Sequence, residues 1–225
     1  MDALPFIHSL QLTDSAFPVG AFAYSDGLET AASSGLVHDA ASLADWMDHF
    51  VESVFVSCEG LALVKSMIAL KAGDYESLSD IDEELTAIRP SAAGRAASTG
   101  IGRRLLSLYT AICGDEGFPD IASKLPYGNA AAAYAAVFFH RGLAERDAVL
   151  AFGYNRLAGT VSAGLRLISI GHQQGQLLLT KTIDRLPAAA DRIMAMKDEP
   201  VRAFSPALDI QQMNHQYLYS RLFRS

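Results

Sequence analysis

The sequence has little cysteine, and its arrangement does not suggest a cross-linked fold. Only two cysteines occur among 225 residues, Cys58 and Cys113, and they lie far apart in apolar, helix-like surroundings. A single domain of this length buries about 70% of the surface of its unfolded chain, so it folds without a disulfide or a structural metal. We therefore predict two buried, reduced thiols, as is usual in cytosolic proteins.

Residue spacings that bind metals or build active sites are also missing. No two of the six histidines are three to five positions apart, and no Cys-x-x-Cys occurs. Gly100 and Gly102 lack the preceding strand and the Lys-Ser/Thr of a phosphate loop, which favours helix packing instead. No Gly-x-Ser-x-Gly elbow occurs. We predict no catalytic residue, metal ligand or cofactor. A helical metal-dependent enzyme with a site built from scattered His, Asp and Glu remains the alternative.

Basic charge and long hydrophobic runs are scarce as well. The formal net charge of −7 argues against nucleic acid as a partner, because binding to phosphates requires a basic face. The longest uncharged apolar run, residues 130–139, is half of the roughly 20 residues that span a bilayer. The N-terminus does not read as a signal peptide. We therefore expect a cytoplasmic protein and no membrane, and the apolar fraction of 50% indicates a large core plus protein interfaces.

What the sequence does contain is a strong helical period. Apolar residues from Leu43 to Cys58 recur at i, i+3, i+4 and i+7, and Asp39 or Ser42 could cap the start. No window alternates apolar and polar residues for long enough to demand a strand. We predict an all-α, single-domain bundle of about eight to ten helices over residues 1–225. The other predicted helices lie at 60–72 (closed by Gly73), 75–88, 91–113, 129–142, 147–171 and 173–184, with a short one from Pro187, a last one from about Leu208, and a loop at 114–128.

The most informative segment is residues 10–29, in which a short amphipathic helix precedes a turn and a new helix. Pro18 and Gly20 are typical of turns, and Asp26 and Glu29 have the spacing of a capping box at the new helix. The segment closely resembles the first motif of the urease accessory protein F (UreF) family: a leucine-rich helix, Asp-Ser-x-Phe-Pro-x-Gly-x-Phe, then Ser-x-Gly-Leu-Glu. The residues that carry this motif are Asp14, Ser15, Phe17, Pro18, Gly20, Ser25, Gly27 and Glu29.

Three further segments are similar to the same family. Residues 98–106 loosely match its Ser-x-x-x-Gly-x-x-Leu-Leu helix, and residues 165–176 resemble its Arg-Leu-x-x-Leu-Gly-x-x-x-Gly-Gln segment. Residues 206–225 are similar to its C-terminal signature. The chain departs from the family at Tyr24 and at residues 124–127, where histidine is common, and this weakens any prediction that the chain itself carries nickel.

The resemblance implies an all-α homodimer that is neither an enzyme nor a cofactor-binding protein. It also implies three partners: a UreD/UreH-type accessory protein, a UreG-type GTPase and the urease apoprotein. In this interpretation the chain is a scaffold that joins the UreD/UreH-type partner and recruits the GTPase to the apoprotein for nickel insertion.

The tail at residues 208–225 is the candidate for docking the UreD/UreH-type partner. Terminal residues fray unless tied down, yet this tail has more large apolar groups than one core-facing stripe absorbs. Its arginines lie among aromatic residues, a composition typical of interface hot spots. We expect the tail to dock into that partner and become ordered there, and packing on its own domain is the alternative. Arg166 is either a buried tie or a partner contact. The predicted partner-binding residues are Arg166, Gln176, Tyr217, Tyr219, Ser220, Arg221, Leu222, Phe223 and Arg224.

Overall fold

A computed structural model of the chain describes residues 3–113 and 117–224, and these residues form helices and no strand. The all-α prediction is confirmed. The α-helices are α1 Ala3–Thr13, α2 Leu28–Ser33, α3 Ala40–Phe50, α4 Gly60–Ala72, α5 Tyr75–Ala87, α6 Ala92–Cys113, α7 Phe118–Ala122, α8 Ala130–His140, α9 Glu145–Leu167, α10 His172–Ile183, α11 Leu186–Ala195 and α12 Pro206–Asn214. A π-helical segment, Val51–Glu59, lies between α3 and α4, and short 3₁₀ turns occupy Ala21–Ala23 and His215–Tyr217.

The first two predicted core helices are in fact one. Helix α3, the π-helical segment and α4 run without a break over Ala40–Ala72. The prediction of a new helix at Gly60 is wrong because this glycine continues the helix. Its N–H binds the Phe55 carbonyl five residues back. A side chain at Gly60 would collide with Ile193 and Phe55, so the glycine serves close packing.

Both ends of this long helix have the predicted capping residues. The Asp39 carboxylate accepts a hydrogen bond from the Ser42 N–H at 2.8 Å, completing a capping box. That bond lowers the pKa of Asp39. At the other end, Gly73 has φ of 70°, a left-handed conformation that glycine adopts at little cost.

By length and hydropathy alone, Ala40–Ala72 is the one helix in the described ranges that could cross a membrane. Its apolar window has a mean hydropathy of 1.6, and 72% of that window is buried inside the fold. Core helices of soluble proteins pass the same test.

Helix α8 forms the centre of the core. Residues 131–138 are all buried, and the helix packs against both α4 and α6. Its alanines let these neighbours approach closely, and Gly102 on α6 lies directly against the Gly128 carbonyl at the start of α8. This close contact agrees with the helix-packing interpretation of Gly102, whereas Gly100 faces the Tyr24 hydroxyl. The large buried side chains around α8, such as Phe138 and Phe152, each contribute roughly 1.5–3 kcal/mol by leaving water.

Two predictions about the middle of the chain need correction. The predicted loop at 114–128 contains the short helix α7, with Pro119 in its first turn, where the missing N–H has no helical partner to lose; residues 114–116 lie outside the described residues. Cys58 is buried as predicted, and burial raises the pKa of its thiol to about 12. Cys113 is only half-buried, and no disulfide joins the two described cysteines.

Candidate functional site

Residues 14–27 form a compact loop between α1 and α2. The Asp14 carboxylate accepts a hydrogen bond from the Ala16 N–H at 2.6 Å, and the Phe17 N–H binds the Asp14 carbonyl at 3.0 Å. Gly20 then has φ of 80°, which reverses the chain after Pro18. The structure therefore places the predicted turn residues in this loop, and Asp14 stabilises the loop rather than capping a helix.

The predicted capping box at Asp26 and Glu29 is wrong. Gly27, with φ of 86°, is the residue that precedes α2, and it has no side chain with which to cap this helix. Gly27 lies so close to Gln211 and Gln212 of α12 that a side chain there would be crowded. The first turn of α2 is instead bonded to Ser25, whose hydroxyl accepts from the Glu29 N–H at 3.3 Å. This arrangement leaves the Glu29 carboxylate available for another segment.

That segment is the C-terminal tail. The Glu29 carboxylate is buried and accepts three hydrogen bonds. They come from His215 Nε2 at 2.8 Å, from the Phe223 N–H at 3.2 Å and from the Leu222 N–H. The Arg224 N–H also donates to the Ala23 carbonyl at 2.8 Å. The tail thus packs on its own domain, in contrast to our expectation that a partner orders it. Ser225, the last residue of the predicted tail, lies outside the described residues.

The anchored tail directs most of its predicted binding residues into solvent. Phe223 is 5% exposed, whereas Tyr217 is 77% exposed, Leu222 is 60% exposed and Tyr219 is fully exposed. Apolar side chains held in water at this density form the kind of surface that usually meets another protein. The other predicted binding residues of the tail that are exposed are Ser220, Arg221 and Arg224.

Arg166, near the end of α9, ties the loop to the tail. Its guanidinium lies between the rings of Phe22 and Phe223, 3.8 Å from each ring centroid. One of its N–H groups donates to the Phe22 carbonyl at 2.9 Å. Burial lowers the pKa of Arg166, and the charge of Glu29 opposes that effect. Arg166 was predicted to be either a buried tie or a partner contact, and its contacts within the chain are those of a tie.

These elements enclose a groove of about 740 Å³ between the loop, α9 and α10. Its floor is formed by small residues of α9, and at Gly159 no atom lies within 4 Å of where a side chain would begin. Predicted residues from three distant segments meet here, namely Asp14, Ser15, Phe17, Pro18, Gly20, Ser25, Arg166, Gln176 and Phe223. Gly27 and Glu29 do not line the groove; Gly27 lies against α12, and the Glu29 carboxylate binds the tail.

A set of charged residues around the buried Glu59 escaped the sequence prediction. Glu59 accepts hydrogen bonds from both Arg89 and Arg156, and Arg156 also pairs with Asp26 of the loop. Burial alone would lower the pKa of Arg156, but the charges of Asp26 and Glu59 outweigh burial and raise it. The available sequence signal was Glu59 as the single charged residue within residues 53–64, because buried charges need partners.

The polar groups do not converge on a metal site. Within residues 3–113 and 117–224, no three His, Cys, Asp or Glu side chains are placed to hold a metal ion. The buried carboxylates of Glu29, Glu59 and Asp82 are occupied by N–H donors of this chain. The arrangement therefore suits positioning and binding.

Comparison with known proteins agrees with the motif resemblance. The model of the UreF family matches residues 37–182. The urease accessory protein UreF of Microcystis aeruginosa is 33% identical over 226 residues, covering 100% of this chain and 100% of that protein. UreF of Arthrobacter sp. is 34% identical over 221 residues, covering 96% and 95% of the two chains. UreF of Methylobacillus flagellatus is 31% identical over 222 residues, covering 97% of each. The alignment with the Microcystis protein takes in the loop and the tail, which the family match leaves outside.

Proposed function

Because the chain belongs to the UreF family of urease accessory proteins, we propose that it is a non-enzymatic scaffold for urease maturation. It joins a UreD/UreH-type accessory protein and recruits a UreG-type GTPase to the urease apoprotein, where nickel is inserted. It works in the cytoplasm as a homodimer. In this proposal nickel is the cargo of the assembly, and the GTPase supplies nucleotide hydrolysis.

The observation that carries this proposal is the anchored tail with its exposed aromatic side chains. Glu29 fixes the backbone at Leu222 and Phe223, so Tyr217 and Tyr219 are presented by an ordered segment. Binding through an ordered segment avoids most of the entropy cost of folding on the partner. Tyrosine and arginine are also among the residues enriched in interface hot spots.

A second exposed apolar surface supports the homodimer. Leu4, Ile7 and Leu10 lie along α1 and are 63%, 58% and 54% exposed. The helix has no acidic residue in its first turn and no basic residue in its last turn. In a chain with a net charge of −7, an uncharged face is where two copies meet with the least repulsion.

Co-expression with a tagged UreD/UreH-type protein tests the proposal. We expect the wild-type chain to be captured, and the double variant Tyr217→Ala and Tyr219→Ala to lose at least about tenfold in affinity, since hot-spot residues contribute about 2 kcal/mol each. Tyr75→Ala is the matched control, because Tyr75 is a 44% exposed tyrosine on α5, far from the tail in sequence. All variants should melt like the wild type. Equal capture of the double variant and the control would contradict the proposal.

A further inference from the structure

A continuous line of buried and half-buried polar side chains runs between the helices and ends at the loop that bounds the groove. Each member is hydrogen-bonded to the next at 2.7–3.1 Å. In order from the start of α8 to the loop, the members are Asp82, Asn129, Arg89, Glu59, Arg156 and Asp26.

At the Asp82 end, the line is held by several hydrogen bonds. Asp82 is fully buried and accepts the backbone N–H groups of Tyr127, Gly128 and Asn129 at 2.7–2.8 Å. The Asn129 side-chain amide also donates to Asp82 at 3.0 Å. These bonds fix both the backbone and the side chain of Asn129. Arg89, the next residue in the line, therefore donates to an acceptor that has little freedom to move.

In the middle, Glu59 joins two arginines. One carboxylate oxygen accepts from Arg89 at 3.0 Å and the other accepts from Arg156 at 2.9 Å. The Arg156 guanidinium also lies over the Phe50 ring, 5.2 Å from its centroid. With one edge bound to Glu59 and one face covered, Arg156 has little freedom to move.

The near end is a residue in an uncommon backbone conformation. Asp26 has φ of 51°, the one positive φ found outside glycine in the described ranges. Its carboxylate binds Arg156 at 2.7 Å. Conformations of this kind persist where the surrounding structure holds them in place.

What Asp26 holds is the part of the loop that contacts the tail. Three residues before it, the Ala23 carbonyl accepts the Arg224 N–H, and the Phe22 carbonyl accepts from Arg166. A shift of the loop at Asp26 would move both carbonyls and with them the anchored tail.

We propose that Arg156 is a positioning residue for the docking surface: it fixes Asp26, and through it the loop that bounds the groove and supports the tail. The part of this proposal that concerns docking rests on the proposed function. The positioning itself is a property of the isolated chain.

Hydrogen exchange of the isolated chain, read by mass spectrometry over residues 18–28, tests the positioning directly. The Ala23 and Tyr24 N–H groups are bonded within the loop and report its closure. In Asp26→Asn we expect exchange of this segment to be roughly tenfold faster, because the charge-assisted bond is lost. Asparagine tolerates a positive φ, so the backbone preference is kept. Asp45→Asn, at an exposed position of α3, removes the same charge and should exchange like the wild type.

Affinity for the UreD/UreH-type partner is the second measurement, with the melting temperature as a check on folding. Asp26→Asn should weaken binding by roughly tenfold and melt close to the wild type. Arg156→Lys, which cannot bind both carboxylates in a fork, should show the same two losses. Unchanged exchange in Asp26→Asn overturns the proposal, even if Arg156→Lys fails to fold. Faster exchange with full affinity overturns its docking part. If the wild-type chain binds no partner, the proposed function fails while the exchange result still decides the positioning.

Discussion

Asp82 and Glu29 are both buried carboxylates that hold a distant segment by its backbone N–H groups, but they hold different kinds of structure. Asp82 binds residues 127–129, which lead directly into the buried helix α8. Glu29 binds the tail at Leu222 and Phe223, where the side chains of Leu222 and Arg224 are exposed. The first joins two parts of the core, whereas the second joins the core to a surface.

This difference shows how the same chemistry can serve stability or presentation. At Asp82 the bonds to the Gly128 and Asn129 N–H groups are buried, so loss of the carboxylate would leave buried donors without acceptors. At Glu29 the bonded backbone lies next to side chains that point outward, so its loss would release the tail into water. The cost to folding should therefore be larger at Asp82, and the cost to binding larger at Glu29.

The sharpest way to break the comparison is Asp82→Ala. Removing this carboxylate leaves three backbone N–H groups without their acceptor and takes one hydrogen bond from the Asn129 amide. We expect a loss of about 3–5 kcal/mol in the free energy of unfolding. Urea unfolding followed by circular dichroism measures it. Asp80→Ala, at an exposed position of the same helix, should change stability by no more than about 0.5 kcal/mol. A loss below about 1 kcal/mol in Asp82→Ala would show that Asp82 does not have this structural role.

Glu29→Gln should have a smaller effect on stability and a larger one on the tail. One acceptor oxygen becomes an N–H₂ group that faces backbone donors, so we expect a loss of about 1–3 kcal/mol. Limited proteolysis should cut the tail at Arg221 or Arg224 much faster than in the wild type. Glu52→Gln is the control, because Glu52 pairs with Arg192 at the surface, where an ion pair contributes about 0.2–1 kcal/mol. An equally protected tail in Glu29→Gln would show that the stack around Arg166 suffices.

The smallest expected effect concerns Asp209 on α12, a partly buried carboxylate. The effect of burial on its pKa is larger than the opposing effects of the Ser205 N–H and Arg89. Burial raises its pKa above the ordinary 3.8, so the native state binds this proton more tightly than the unfolded chain does. The resulting stabilisation is fully present below pH 3.8 and is lost as pH rises through the native pKa. Asp209→Asn should therefore be more stable than the wild type at neutral pH, by at most about 0.5 kcal/mol given the solvent screening. The gap should close toward pH 4 in thermal melts. A gap that widened instead would mean that Asp209 gains more from Arg89 than it loses by burial.

The helices were predictable from sequence because their signals are local. The period of apolar residues, Asp39 as a cap and Gly73 as a stop each depend on a few neighbouring positions. The boundary at Gly60 was predicted wrongly for the same reason. Glycine is a poor helix former by itself, and its contacts with Ile193 are visible only in the folded chain.

The sequence predicted which residues belong to the site but not which of them contact one another. The motifs named Glu29, Arg166 and Phe223, but the spacing of Asp26 and Glu29 suggested a cap. Glu29 and its partner His215 are 186 positions apart, and a single sequence contains no signal for such a pair. The order of the tail followed from this bond, so it could not be foreseen either.

The π-helical segment explains how one arginine reaches both Phe50 and Glu59. In an α-helix of 3.6 residues per turn, two residues nine positions apart differ by about two and a half turns and face opposite ways. A π-helix has about 4.4 residues per turn, which brings the same two residues to nearly two full turns and onto one side. Arg156 contacts both, with its guanidinium over the Phe50 ring and its Nε on the Glu59 carboxylate. The wider winding of Val51–Glu59 thus rotates the second half of the helix relative to the first. As a result Glu59, which would otherwise face away from Phe50, lies on the side that contacts Arg156.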